Sequence, residues 1–278
     1  LESFDTERQR LNATLAAQRA GLTRAAARRH LLTLAHLGYL ETDGQYFWLA
    51  PKVLRLSGSY LASARLPRTM QPTLQRLSQL TGLPCSTAVL DGHEMVIVAR
   101  SSAPQQTISR LAYGLHLGSR LPVHATSTGR IMLASMEDAE LHQWLAQASL
   151  PRLTAYTVTS AQQLMSLLYM VRQQDFAYAR EEHEIGVHAL AVPLRDLHGR
   201  TVAALNAVGS PSGHTQDYLE REVLPLLQDP TTPICVVALS DHPSQTFGSV
   251  VFRLSDSIGA SFCLGNPATE SWREIPFA

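Results

Sequence analysis

The sequence predicts an α+β protein in two folded parts joined by a helix. Three observations carry this. Residues 12–49 read as helix, glycine turn, helix and hairpin. Residues 67–229 alternate amphipathic helices with hairpins, and hairpins imply an antiparallel sheet with helices on its faces. A length of 278 residues allows two ordinary domains or one large one.

In the first part, Asn12 is placed to cap a helix carrying Leu15, Ala16 and Ala20. Gly21 ends it, Leu22 follows as a buried turn residue, and Thr23 caps a second helix to about Leu37. Ala27, Leu31 and Leu34 share one face of that helix, while Ala25, Arg28 and Arg29 fall on the other. Gly38 closes it. Tyr39–Thr42 and Gln45–Leu49 read as strands around a two-residue Asp43-Gly44 turn. This is the layout of a winged helix-turn-helix, whose second helix enters the major groove of DNA. Arg8, Arg10, Arg19, Arg24, Arg28 and Arg29 lie between residues 8 and 40, where no acidic residue occurs, as a phosphate-facing surface requires. The plainer alternative is a helical hairpin with a solvated arginine face; the Asp-Gly wing and the acid-free run argue against it. Thr23, Arg24, Ala25, Arg28 and Arg29 are the candidate DNA contacts. Leu1–Asp5 reads as the last turn of a first helix that is truncated in this chain.

Net charge is zero, so the arginine run is a local asymmetry. Cys85, Cys235 and Cys263 are too widely spaced for a metal pair or a disulfide framework, which fits a reducing cytoplasm. No signal peptide and no apolar run of about 18 residues is visible, so a soluble cytoplasmic protein without membrane association is expected.

Pro51 suits the first position of a linker helix with Val53, Leu56, Tyr60 and Ala64 in one stripe. That stripe either packs on its own domain or pairs with a second copy, as two half-sites on DNA would require. Leu66-Pro67 marks a boundary, and a helix over Arg68–Leu80 turns Met70, Leu74 and Leu77 inward. Strands follow at Ser86–Leu90 and Met95–Arg100, with another at Thr107–Leu111. Helices are expected over Glu137–Gln147 and Ser160–Gln174. Phe176–Arg180 reads as a strand, and Val187–Arg195 with Thr201–Val208 as a buried hairpin. Thr215 caps a last helix ending near Gln228.

The run His124-Ala125-Thr126-Ser127-Thr128-Gly129 before Ile131, Met132 and Leu133 places small hydroxyl residues at a helix N-terminus. Such a turn offers amides, hydroxyls and a positive dipole end to a carboxylate, or serves as an ordinary cap. Asn206 is polar inside an apolar strand, and its amide needs a partner, from the backbone or from a ligand.

Four stretches together resemble the IclR-type bacterial transcription regulators: GLTRAAARRHLLTLAHLGYLETDGQYFWLAPKVLRL, GSRLPVHATSTGRIMLA, YAREEHEIGVHALAVPLRDLHGR and VAALNAVG. The closest likeness is to the branch governing protocatechuate and hydroxybenzoate catabolism. The resemblance covers about residues 1–229. It implies a winged helix-turn-helix over 1–50, a linker and dimerisation helix over 51–66, and a GAF-like effector domain with an antiparallel sheet over 67–229. It also implies homodimers or tetramers on double-stranded operator DNA, a small aromatic acid as effector, and altered DNA binding or RNA polymerase recruitment. No cofactor is implied. The family's pocket positions match Ser127, Thr128, Gly129, Ala179, Ala189, Asn206 and Val208. Many relatives have arginine and then serine or cysteine where this chain has His188 and Ala189. Some have a carboxylate at Ala179 and a hydroxyl at Val208. The pocket is therefore expected to be less polar on that side. Glu182 and Glu184 could orient a hydroxyl or hold a loop. His183 and His188 are poorly spaced for one zinc ion, so no metal is expected. Residues 230–278 have no counterpart in the resemblance; Ile234–Leu239 and Ser249–Leu254 have strand character, and the stretch is otherwise expected to be a poorly ordered extension.

The reading is a ligand-responsive DNA-binding regulator of a catabolic operon. An enzyme of small organic acids with a basic helical domain is the alternative, against which stands the absence of a Gly-x-Ser-x-Gly elbow, a His-Glu-x-x-His pair or a phosphate loop. A DNA-organising protein without a ligand is a third reading.

Overall fold

A computed structural model describes residues 1–5, 8–101, 115–196, 198–229, 248–254, 258–264 and 273–276. It divides into two units, Leu1–Ala64 and Arg65–Ala278.

In the first unit, α1 (Ala13–Ala20) begins where the amides of Thr14 and Leu15 donate to Asn12 Oδ1 at 3.1 and 2.9 Å. It ends at Gly21, whose φ of 64° is left-handed. Thr23 caps α2 (Arg24–His36), and the Tyr39 amide reaches back to the Leu34 carbonyl past a left-handed Gly38. Leu11, Ala16, Ala27, Leu31, Leu40 and Phe47 form the core of this unit. The wing strands β1 (Leu40–Thr42) and β2 (Phe47–Leu49) pair antiparallel, and Leu11 joins Phe47 through two backbone bonds.

Several expectations are corrected here. The wing loop has four residues, not two, because side chains organise it. Asp43 accepts from the amides of Gln45 and Tyr46, and the Thr42 hydroxyl accepts from the Gly44 amide while donating to the Tyr46 carbonyl. Leu1–Asp5 holds a turn and no helix; Asp5 is occupied by the Arg8 amide and the Arg19 guanidinium. Leu22 is exposed, at the rim of an open hollow that Ala27 and Leu31 also line.

After a 3₁₀ turn opened by Pro51, α3 (Leu54–Ser63) buries none of its residues; Leu54, Leu56 and Tyr60 stay in the open. The break between units falls at Ala64, whose backbone is extended, ahead of the expected Leu66-Pro67. α4 (Arg65–Thr81) takes Pro67 into its first turn, where a missing N–H costs nothing. It also tolerates Pro72, because Met70, Leu74 and Leu77 hold the helix against the sheet.

The second unit is built on six antiparallel strands: β3 (Cys85–Asp91), β4 (Glu94–Arg100), β5 (Arg120–Pro122), β6 (Ala177–Arg180), β7 (His188–Arg195) and β8 (Thr201–Gly209). Their order across the sheet is β5-β4-β3-β8-β7-β6. The expected strand at Thr107–Leu111 lies outside the described residues. One face packs on α4 and on a C-terminal run made of α8 (Gln216–Tyr218), a π turn (Leu219–Val223) and α9 (Leu224–Gln228). On the other lie α5 (Ser127–Ala134), α6 (Asp138–Gln147) and α7 (Ala161–Gln174), joined to the sheet through Ile131, Leu141 and Leu168 among others. Helices on both faces explain why β7 and β8 are apolar almost throughout.

The C-terminal stretch is not without regular structure. A three-stranded antiparallel sheet joins β9 (Gly248–Leu254), β10 (Ile258–Leu264) and β11 (Arg273–Pro276). Its sequence sign is the alternation of Ile258, Ala260, Phe262 and Leu264, a period of two.

Candidate DNA-binding face and effector site

Thr23, Arg24, Ala25, Arg28 and Arg29 are all exposed along the N-terminal half of α2. The Thr23 hydroxyl is engaged with the Ala26 amide as cap. Among the described residues no carboxylate pairs with Arg24, Arg28 or Arg29, whereas Arg10 and Arg19 are held by Asp43 and Asp5. Arg10 also lies 4.3 Å over the Trp48 ring of the wing. The charge of α2 is thus left for an outside anion, and a phosphate backbone is the anion a helix of this spacing meets.

The second site begins at the N-terminus of α5. A 3₁₀ turn, Val123–Ala125, delivers Thr126 in extended conformation, and its Oγ1 accepts from the Gly129 amide at 3.2 Å. Thr126 is therefore the cap. Ser127 is 1% exposed, yet among the described residues its Oγ has no partner. Thr128 is equally buried. A Cβ on Gly129 would come within 2.0 Å of the Val123 carbonyl oxygen, so glycine is needed for packing at that position.

Opposite α5, strand register assembles the remaining candidates. Ala179, Ala189 and Val208 stand side by side on β6, β7 and β8. In the next row Ala177, Ala191, Asn206 and Ser86 align. Ala177, Ala191, Ala88 and Ala204 share a cluster with Ile131 and Leu133, so these rows face α5. Asn206 Oδ1 is shut from solvent and has no partner among the described residues. The backbone partner that a strand amide would ordinarily find is not there. Leaving one such group unmet costs about 1–3 kcal/mol, so two on one face need an explanation.

Arg130, one turn into α5, escaped sequence reasoning. It is 4% exposed, and its guanidinium donates to the Tyr178 carbonyl at 2.9 Å and to Glu182 Oε2 at 2.5 Å. Glu182 thus holds a loop instead of orienting a hydroxyl. An arginine directly before Ile131-Met132-Leu133 was the available signal. His124 is buried, donates from Nε2 to the Pro151 carbonyl at 3.1 Å, and is held below its ordinary pKa by burial.

His188 and Ala189 do not form one altered pocket wall. Alternation along β7 sends His188 to the α4 face, where its Nδ1 lies 2.8 Å from the Tyr178 hydroxyl. Burial raises the Tyr178 pKa to about 12 and lowers that of His188. His183 remains in the β6–β7 loop on the near side. Among the described residues no group of three metal-ligating side chains is placed to hold an ion, and no helix is long and apolar enough to cross a membrane.

A winged helix-turn-helix with an unpaired arginine face, beside an antiparallel sheet domain holding unmet buried polar groups, defines a DNA-binding transcriptional regulator with an effector domain. Models of the IclR helix-turn-helix domain and of the bacterial transcriptional regulator IclR C-terminal domain match residues 1–44 and 58–236. The chain belongs to the IclR family, whose members regulate transcription and are not enzymes. It is 54% identical over 229 residues to the Pca operon regulatory protein of Acinetobacter baylyi, covering 82% of each chain. It is 48% identical over 230 residues to the p-hydroxybenzoate hydroxylase transcriptional activator of the same organism, covering 82% of this chain and 85% of that one. The inducer-binding domain of a PobR double mutant from Acinetobacter, solved with 3-hydroxybenzoic acid, superposes with a TM-score of 0.56 at 43% identity, covering 61% of this chain and 95% of that one.

Proposed function

We propose that this regulator senses a hydroxylated aromatic acid between α5 and the sheet. The observation that carries the reading is the pair of buried, unpartnered atoms, Ser127 Oγ and Asn206 Oδ1, on facing elements. Ser127 donates to the carboxylate, helped by the dipole and the free first-turn amides of α5. Asn206 Oδ1 is an acceptor only, and a ring hydroxyl supplies the donor it lacks. Thr128, Gly129, Ala179, Ala189 and Val208 shape the space, their small side chains leaving room for a ring. The regulated genes are those for catabolism of such acids, by analogy with the two Acinetobacter regulators.

Thr23, Arg24, Ala25, Arg28 and Arg29 contact operator DNA. The exposed Leu54, Leu56 and Tyr60 of α3 pair with a second copy, giving a dimer that spans two half-sites, and tetramers and RNA polymerase contacts build on it. Residues 1–50, 51–66 and 67–229 work as DNA-binding, linker and effector parts in the cytoplasm, with 230–278 as an extension. The effector acts by linkage: it binds one arrangement of the dimer better and shifts the population by a coupling of about 1–3 kcal/mol. Thermal melting against benzoate, 4-hydroxybenzoate and 3,4-dihydroxybenzoate tests the reading. The hydroxylated acids are expected to raise the melting temperature more than benzoate, and equal shifts for all three would contradict the role given to Asn206.

A further inference from the structure

Another such atom sits in the β6–β7 loop: among the described residues, Nδ1 of His183 is shut off from solvent and has no hydrogen-bond partner. Its position is fixed by the loop that carries it. Thr157 Oγ1 donates to the Glu182 carbonyl at 2.6 Å, and Thr154 Oγ1 donates to that of Glu181 at 2.7 Å. The Glu181 side chain accepts from the Gly186 amide, and Glu182 is clamped by Arg130 of α5. His124, in the turn leading into α5, disfavours a charge on His183. The loop is thus tied to α5 at Arg130, one turn past Ser127, and carries an imidazole with a spare nitrogen.

We propose that His183 is an effector-contacting residue that grips the carboxylate of the bound acid together with Ser127. This rests on the effector reading above. It adds a residue that opposes the carboxylate with a donor able to carry charge, at a pocket whose sheet side is mostly alanine. The groups facing His183 are Glu184 on its own loop, His124 before α5, and the Arg130–Glu182 pair. Glu184 favours the charged imidazole, but burial and His124 outweigh it, so His183 is neutral in the free protein at neutral pH. An anion set against Nδ1 raises that pKa on binding. Binding is then accompanied by proton uptake, and affinity rises as pH falls from above the bound-state pKa towards the free one.

The test is calorimetric titration of the full chain with 4-hydroxybenzoate in two buffers of different ionisation enthalpy, from about pH 8 to about pH 5.5, where the acid itself stays ionised. The wild type is expected to take up protons and to bind more tightly at the lower pH. H183F is expected to lose affinity by about tenfold or more, as for a lost charge-assisted hydrogen bond. H183Q, which keeps a donor, is expected to recover part of that loss and to show no proton uptake. The melting temperature of each unliganded variant separates lost contact from lost fold. Wild-type affinity in a folded H183F, or proton uptake that persists in H183Q and so belongs to His124, overturns the assignment and leaves the effector reading standing. A wild type that binds none of the hydroxybenzoates overturns both.

Discussion

The two halves of this regulator keep their functional groups in opposite states. On α2 the arginines are exposed, and among the described residues of its unit no polar side chain is buried. Against α5 the polar groups that matter are buried, and several have no partner. An exposed charge waits for its ligand at little cost, because water solvates it. A buried hydroxyl or amide without a partner carries a standing cost that a ligand can relieve. Substituting the first kind is expected to leave stability unchanged, while substituting the second shifts it down where a partner is removed and up where an unmet group is removed.

Breaking the clamp between the halves of the effector site should have the largest effect. Glu182→Ala leaves the Arg130 charge buried and unpaired, and is expected to destabilise the second unit by about 3–5 kcal/mol in urea unfolding. The double variant Arg130→Met with Glu182→Leu is expected to recover most of that. Next, Gly129→Ala forces a methyl group into the Val123 carbonyl. It is expected to cost about 1–3 kcal/mol in urea unfolding and to weaken effector binding. On the other side of the comparison, Arg29→Ala is expected to weaken specific DNA binding by roughly 1–3 kcal/mol if it reads a base, with the melting temperature unchanged. A uniform loss on all sequences would make it a phosphate contact instead. The smallest stability effect sharpens the contrast most. Asn206→Leu removes an unmet buried amide, and is expected to leave the free protein as stable or about 1 kcal/mol more stable while abolishing the preference for hydroxylated acids.

The same contrast governs what the sequence made legible. The α2 face could be read directly, since helical period and an acid-free arginine run are one-dimensional signals. The Asp43-Gly44 turn misled because Thr42 and Asp43 side chains, not the dipeptide alone, set the loop length. Pro67 misled as a boundary because a first-turn proline is as good a helix member as a breaker. The pocket positions came from resemblance, and only strand register shows that Ala179, Ala189 and Val208 are neighbours while His188 faces away. Arg130 and Glu182 are 52 residues apart, and no local pattern announces a pair at that separation.

The central claim is that an acid held between α5 and the sheet changes how tightly α2 holds DNA. Fluorescence anisotropy of the full chain on the DNA upstream of its own gene, with and without saturating 4-hydroxybenzoate or 3,4-dihydroxybenzoate, tests it most directly. The account expects the operator Kd to move by about 5- to 150-fold with the acid in the wild type, and not to move in Asn206→Leu. An unchanged Kd in wild-type protein, with calorimetry showing the acid bound, would contradict it.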